Sequence, residues 1–186
     1  MCVICNDDYD KNIKKLDCSN CKLVRKIPNN LMDLESLDCH NCKGLYILPK
    51  NLPKLRILTI SHSNIVEIPN TYKNLQYIKC DNTGIKKLSP NFINLRYLYC
   101  FDTQLTKIPK EYVNLLRIIY FRTLIKFIPK TITKLINNSQ IQNKNIHTVE
   151  VPKNRKDPEK VYFSSCHNCK SYYNSDQNKN CPTCEK

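Results

Sequence analysis

The apolar positions of this chain recur as a block. Leu16-Asp17-Cys18-Ser19-Asn20-Cys21 is followed by Leu37-Asp38-Cys39-His40-Asn41-Cys42 and by Leu58-Thr59-Ile60-Ser61-His62-Ser63. It returns as Ile78-Lys79-Cys80-Asp81-Asn82-Thr83, then Leu98-Tyr99-Cys100-Phe101-Asp102-Thr103, then Ile118-Ile119-Tyr120-Phe121-Arg122-Thr123. The step is 21 residues twice and 20 residues thereafter. Each block leads to a further Leu or Ile and then to Ile27-Pro28, Leu48-Pro49, Ile68-Pro69, Ile108-Pro109 or Ile128-Pro129, with one displaced version, Leu88-Ser89-Pro90. A unit of this length cannot bury its apolar face alone, so the pattern predicts a stack of coils.

Within a unit, Leu98 and Cys100 fall on one side of a short strand, because side chains alternate faces with period two. Six such strands stacked in parallel bury a column of Leu/Ile and a column of Cys/Ile/Tyr. The next column, Cys21, Cys42, Ser63, Thr83, Thr103 and Thr123, is small and mostly polar, and it is expected to bond the backbone of the neighbouring coil. The prolines impose an extended return, and Leu31, Leu52, Tyr72, Phe92, Tyr112 and Ile132 close the coil. About 20 residues are too few for a full helix in each unit, so extended or 3-10 returns are expected.

The pattern L-x-x-L-x-[CIY]-x-x-[CST]-x-L-x-x-[IL]-P, carried cleanly by Leu95 to Pro109, resembles the leucine-rich repeat in its short form, used by bacterial effector proteins. The abundance of Lys, Asn and Ile and the cysteine-rich ends give the chain a texture similar to leucine-rich-repeat proteins of giant DNA viruses. The resemblance covers about residues 13–138. It implies a β-rich, α/β-type solenoid: a curved ribbon with parallel strands on its concave face, which binds a partner without enzymatic activity.

Such a ribbon exposes an apolar cross-section at each end and needs caps. At the N-terminus Cys2, Cys5, Cys18 and Cys21 read C-x2-C-x12-C-x2-C, a spacing compatible with a four-cysteine zinc site. Plain buried core cysteines are the alternative, because Cys39 and Cys42 fill the same repeat positions with no upstream partner. Cys2-Val3-Ile4-Cys5 also resembles the opening of a RING finger, but the Cys-His run that should follow is missing. At the C-terminus Cys166, Cys169, Cys181 and Cys184 form two C-x2-C pairs with 11 residues between them, outside the repeat register. They predict one structural, tetrahedral Zn2+, because so short a segment cannot bury a core. The expected organisation is therefore a cysteine-containing cap at 1–12, six repeats at 13–138, a polar linker at 139–162 and a zinc-bound module at 163–186.

Composition adds limits. The chain of 186 residues carries 12 cysteines and begins without an apolar leader segment, which points to an intracellular, reduced protein, in the host cytoplasm or nucleus if it is viral. Nothing predicts a membrane span. The net charge of +14 invites nucleic acid as a partner, with the zinc module and the lysines Lys86, Lys87, Lys107, Lys110, Lys126, Lys130 and Lys134 gripping phosphates. The competing account is that Lys and Asn merely fill solvated positions in a chain from an AT-rich genome. Only two glycines are present, which rules out a phosphate-cradling P-loop, and no nucleophile–base pairing is recognisable. Residues alternating with the buried columns would line the concave face, where Tyr77, Tyr97, Tyr99, Phe101, Ile119 and Phe121 form one contiguous patch. That patch is either exposed for a protein or peptide partner or covered by the chain's own tail. A substrate-recognition part of a ubiquitin ligase is a further reading.

Metal analysis tests the C-terminal module directly: the full chain should carry zinc, and a chain ending near Lys160 should carry one zinc fewer.

Overall fold

The computed structural model describes residues 2–6, 9–126 and 128–133, with backbone strands at 141–142, 163–165 and 172–174. The chain divides into two compact units, Met1–Asn143 and Lys144–Lys186.

The first unit is a parallel β-solenoid. Its strands are β1 (Lys15–Asp17), β2 (Ser36–Asp38), β3 (Ile57–Thr59), β4 (Tyr77–Lys79), β5 (Tyr97–Tyr99) and β6 (Arg117–Ile119), followed by β7 (Ile141–Gln142). They lie in sequence order in one sheet, so each coil pairs only with the coils before and after it. The register is the one the repeat implies: Leu16 opposite Leu37, Leu37 opposite Leu58, Leu58 opposite Ile78, Ile78 opposite Leu98, and Leu98 opposite Ile118. The central residue of every strand from β1 to β6 is buried and its first neighbour is exposed or half-buried, as period-two alternation requires. β7 was not anticipated: it adds a strand from within the stretch expected to be linker, and it occupies the free hydrogen-bonding edge of β6.

One apolar core runs through the coils. Cys18, Cys39, Ile60, Cys80 and Cys100 are fully buried beside the strand leucines, and Leu31, Leu52, Tyr72, Phe92, Tyr112 and Ile132 close each coil from the return side. The two buried tyrosines keep their hydroxyls satisfied in the preceding coil: Tyr72 donates to Pro49 O at 2.5 Å and Tyr112 to Ser89 O at 2.8 Å. The returns consist of turns and extended chain. Among the described residues the helical pieces are a 3-10 turn at Val3–Asn6 and α1 at Lys130–Thr133.

After each strand the chain turns through a left-handed residue: Asn20, Asn41, His62, Asn82, Asp102 and Arg122 all have φ between 53° and 59°. Asn and Asp tolerate that region best among residues with a side chain, which accounts for the amide or carboxylate at four of these six positions. The left-handed residue's own amide bonds the following coil, as in Asn82 N–H to Phe101 O (3.1 Å) and Asp102 N–H to Phe121 O (3.2 Å).

Two expectations need correction. The small polar column does not bond the neighbouring coil where it is Ser or Thr. Ser63, Thr83, Thr103 and Thr123 donate to the carbonyl three residues back in their own coil, at 2.5, 2.6, 2.7 and 2.7 Å. The left-handed turn brings that carbonyl within reach. Side-chain bonds between coils come instead from asparagines of the returns: Asn74 to Pro53 O (2.7 Å), Asn94 to Lys73 O (3.1 Å) and Asn114 to Ile93 O (2.8 Å). The same column holds the Lys54–Asp33 ion pair at 2.5 Å. Asn64 donates to Lys43 O and Asn91 to Asn70 O in the same way. These asparagines are structural, and an AT-rich genome alone does not account for them.

The second unit contains an antiparallel hairpin, β8 (Phe163–Ser165) paired with β9 (Tyr172–Asn174), with Ser164 opposite Tyr173. The two strands are joined by residues 166–171, which include Cys166 and Cys169.

Replacing Asn74, Asn94 and Asn114 together by Ser should cost about 0.5–1 kcal/mol per site, as lost inter-coil hydrogen bonds. Solvated filler residues would give no change. Leu98→Ala, which opens a cavity in the core, should cost about 2–5 kcal/mol and sets the scale in the same urea-unfolding series.

Candidate functional site on the strand face and at the N-terminal thiols

The strand residues that alternate with the core present two contrasting regions. Toward β2–β4 the face is charged. Asp38, Lys79 and Asp81 lie near one another, and Ser61 Oγ donates to Asp81 Oδ1 at 2.7 Å. Burial raises the Asp38 pKa, with Asp17 adding to the rise, while the bond from His40 N–H and the charge of Lys79 oppose it. Burial lowers the Lys79 pKa, against the pull of Asp81 and Asp38. His40 and His62 meet edge to face with centroids 5.4 Å apart, and His62 Nε2 lies 3.8 Å from Asp81 Oδ2. Burial lowers both histidine pKa values; Lys79 and Lys43 reinforce this, while Asp81 opposes it.

Toward β4–β6 the face is aromatic. Tyr77 lies 6.3 Å from Tyr97 and 5.5 Å from Tyr99, and Phe101 stacks on Phe121 at 4.7 Å with planes 11° apart. Arg122 sits 5.2 Å over the Phe121 ring and pairs through its guanidinium with Asp102. The patch is contiguous, and of the two expected states, exposed or covered, full exposure of all six residues is not met. Tyr99, Phe101, Ile119 and Phe121 are 5–7% exposed, and only Tyr77 and Tyr97 are half-buried. Packing within the ribbon contributes to this in two ways. In-register parallel strands set equivalent side chains one strand spacing apart, about 4.8 Å, so large rings shield one another. The alternation also stops after three strand residues. Phe101 and Phe121 lie at the left-handed turn, in the column that also buries Ser61 and Asp81.

The face retains unpaired polar atoms. His40 Nδ1 and Arg117 Nε are buried without a hydrogen-bond partner. The lysines Lys86, Lys87, Lys107, Lys110, Lys126 and Lys130 are exposed; Lys134 lies outside the described residues.

A second cluster lies at the N-terminus. The 3-10 turn places Cys2 and Cys5 on one side, and Cys5 Sγ lies 3.6 Å from Cys2 Sγ and 3.5 Å from Cys21 Sγ. The three sulfur atoms fall within 4.8 Å of one another. Burial pushes the Cys21 thiol up, but hydrogen bonds from Cys2, Leu23 and Cys5 outweigh it and bring the pKa to about 6. Burial, with the bonds to Cys21 and Cys2, raises Cys5 to about 12. Cys18, the fourth residue of the predicted set, is fully buried in the core and stands outside the group of three thiols that meet. The predicted C-terminal ligands Cys166, Cys169, Cys181 and Cys184 lie outside the described residues.

The comparisons with known proteins agree on the fold. A family model described as Leucine Rich Repeat matches residues 12–34. Among solved structures, a leucine-rich-repeat protein of Leptospira interrogans is 22% identical, with a TM-score of 0.59 over 72% of this chain and 38% of that one. An internalin of Listeria monocytogenes is 18% identical, with a TM-score of 0.47 over 64% of this chain and 45% of that one. This chain thus spans less than half the length of either. A sequence comparison with curated proteins finds no match. The fold is that of a leucine-rich-repeat solenoid. No helix among the described residues is long and apolar enough to cross a membrane.

The histidine environment predicts a pH dependence. His62 has a folded-state pKa below its ordinary 6.5, so the fold prefers neutral imidazole. Above about pH 6.5 both folded and unfolded states are neutral and nothing is lost; below it the unfolded chain takes up the proton first and stability falls. His62→Asn keeps a residue that tolerates the left-handed turn. In urea unfolding at about pH 7.5 and pH 5.5, this variant should lose less stability on acidification than the parent. An equal loss would exclude His62 as a source.

Proposed function

We propose that this chain is a non-enzymatic interaction module that holds a protein or peptide on its strand-lined, concave face. The observation that carries this is the strand face itself. It combines a charged stretch, a tyrosine cluster, and two buried polar atoms, His40 Nδ1 and Arg117 Nε, that no group of the ribbon pairs. Buried unpaired donors and acceptors cost stability, so a ligand that supplies their partners gains what the free protein lacks. Tyrosine suits such a face because its ring supplies contact area and its hydroxyl a polar handle. Leucine-rich-repeat solenoids in general use this extended surface for protein–protein contacts.

On this reading a peptide strand lies along the face, meeting Asp38 and Lys79 at one end and Tyr77, Tyr97 and Arg117 at the other. The C-terminal cysteines serve a structural Zn2+, and the protein works inside the cell, where those thiols stay reduced.

A photo-crosslinking residue at position 97 should trap a specific polypeptide, whereas the same residue at position 73, on the return side, should not. Combining Tyr77→Ala with Tyr97→Ala should weaken capture of that polypeptide by about 30-fold or more, the equivalent of some 2 kcal/mol. Crosslinks from both positions alike, or capture that disappears with nuclease treatment, would defeat the proposal; the second result would transfer it to nucleic acid.

A further inference from the structure

The first two coils, with cysteine at the small polar position, depart from a rule that the later four keep. At the small polar position, Ser63, Thr83, Thr103 and Thr123 each close back on the carbonyl three residues before. Cys21 occupies that position in the first coil and its side chain does not. The carbonyl it would use, Cys18 O, already accepts Cys21 N–H at 3.1 Å and the Cys42 thiol at 2.8 Å. The Cys21 sulfur instead faces Cys5 at 3.5 Å, and Cys5 faces Cys2 at 3.6 Å.

Both C-x2-C pairs have the same local geometry. Cys5 N–H bonds Cys2 O at 3.0 Å as Cys21 N–H bonds Cys18 O at 3.1 Å, so each pair spans a tight turn. Zinc–sulfur bonds of about 2.3 Å in a tetrahedron set sulfur atoms about 3.8 Å apart. The separations here are close to that edge and far longer than the roughly 2.05 Å of a disulfide. The repeat alone does not produce this arrangement. Cys39 and Cys42 form the same turn one coil later, with Cys42 N–H on Cys39 O at 3.3 Å, but among the described residues they belong to no three-thiol group and the Cys42 thiol is spent on Cys18 O.

We propose that Cys2, Cys5, Cys21 and Cys18 bind one structural Zn2+ that fastens residues 2–6 over the open end of the first coil. Cys2, Cys5 and Cys21 already face one another; Cys18, three residues before Cys21 and buried in the first coil, supplies the fourth thiolate when the metal binds. A cap is required there because the end of a solenoid exposes its apolar cross-section. The N-terminal turn contributes one buried side chain, Ile4, which is too little burial to hold the segment by itself. Metal binding supplies the remainder, and four thiolates leave no open position for catalysis.

The test uses the full chain produced with added zinc, in which Cys166, Cys169, Cys181 and Cys184 are all replaced by Ser. This chain should retain one zinc, and adding either Cys5→Ser or Cys18→Ser should remove it. In the unaltered protein, Cys2 and Cys5 should resist alkylation as purified and react once a chelator is added, while the core thiols Cys80 and Cys100 stay unreactive in both conditions. That second measurement needs no variant and is unaffected by a failure to fold. The proposal is overturned if the four-serine chain is folded and zinc-free, if Cys18→Ser keeps its zinc at undiminished affinity, if Cys2 and Cys5 alkylate equally with and without chelator, or if they are found joined in a disulfide.

Discussion

Each coil of this protein is too small to bury its own apolar face or to satisfy its own backbone, so every coil depends on the next one being in register. The strands supply part of that constraint through their parallel ladder, but three residues per strand are few. The ladder is extended at the left-handed turn, where the amides of Asn20, Asn41, His62, Asn82 and Asp102 reach the following coil. It is extended again on the return side by the asparagines and by the hydroxyls of Tyr72 and Tyr112. Apolar burial drives the stacking, and these directional bonds fix the register at three places around each coil.

The same constraint determines what the strand face offers a partner. Residues in equivalent positions stand one strand spacing apart, so a column of small side chains leaves gaps and a column of rings closes them. The charged stretch around Asp38, Lys79 and Asp81 and the closely packed aromatics of β5 and β6 are therefore two textures of one lattice. Tyr77 and Tyr97 lie between them, half-buried and close to Arg117, whose Nε is buried and unpaired.

The two ends of a solenoid lack the neighbour that satisfies every interior coil, and this chain treats them differently. β7 pairs with the edge of β6. At the N-terminus a short turn carries the Cys2 and Cys5 thiols to meet Cys21 of the first coil, whose sulfur is not engaged by the carbonyl three residues before it. The cysteines at Cys80 and Cys100, by contrast, are core residues, fully buried among leucines.

The repeat was legible in the sequence because a solenoid writes its three-dimensional period into one dimension. Strand bounds, register and the buried columns all follow from the 20- or 21-residue step and from alternation within each block. The sequence also brought the N-terminal cysteines together as a candidate set, but it could not choose between core and metal, since Cys39 and Cys42 share the spacing without the thiol partners. That choice depends on distances between segments, which spacing along the chain does not encode. The return-side asparagines left a signal, Asn-Leu at Asn74, Asn94 and Asn114, that was masked by the overall abundance of Asn. Alternation leaves open whether the aromatic patch stands exposed or covered, because it is a property of an extended strand. Where the chain leaves the strand through a positive φ, as at Asp102 and Arg122, the side of the sheet on which a side chain lies is decided by the turn and by its neighbours in the stack.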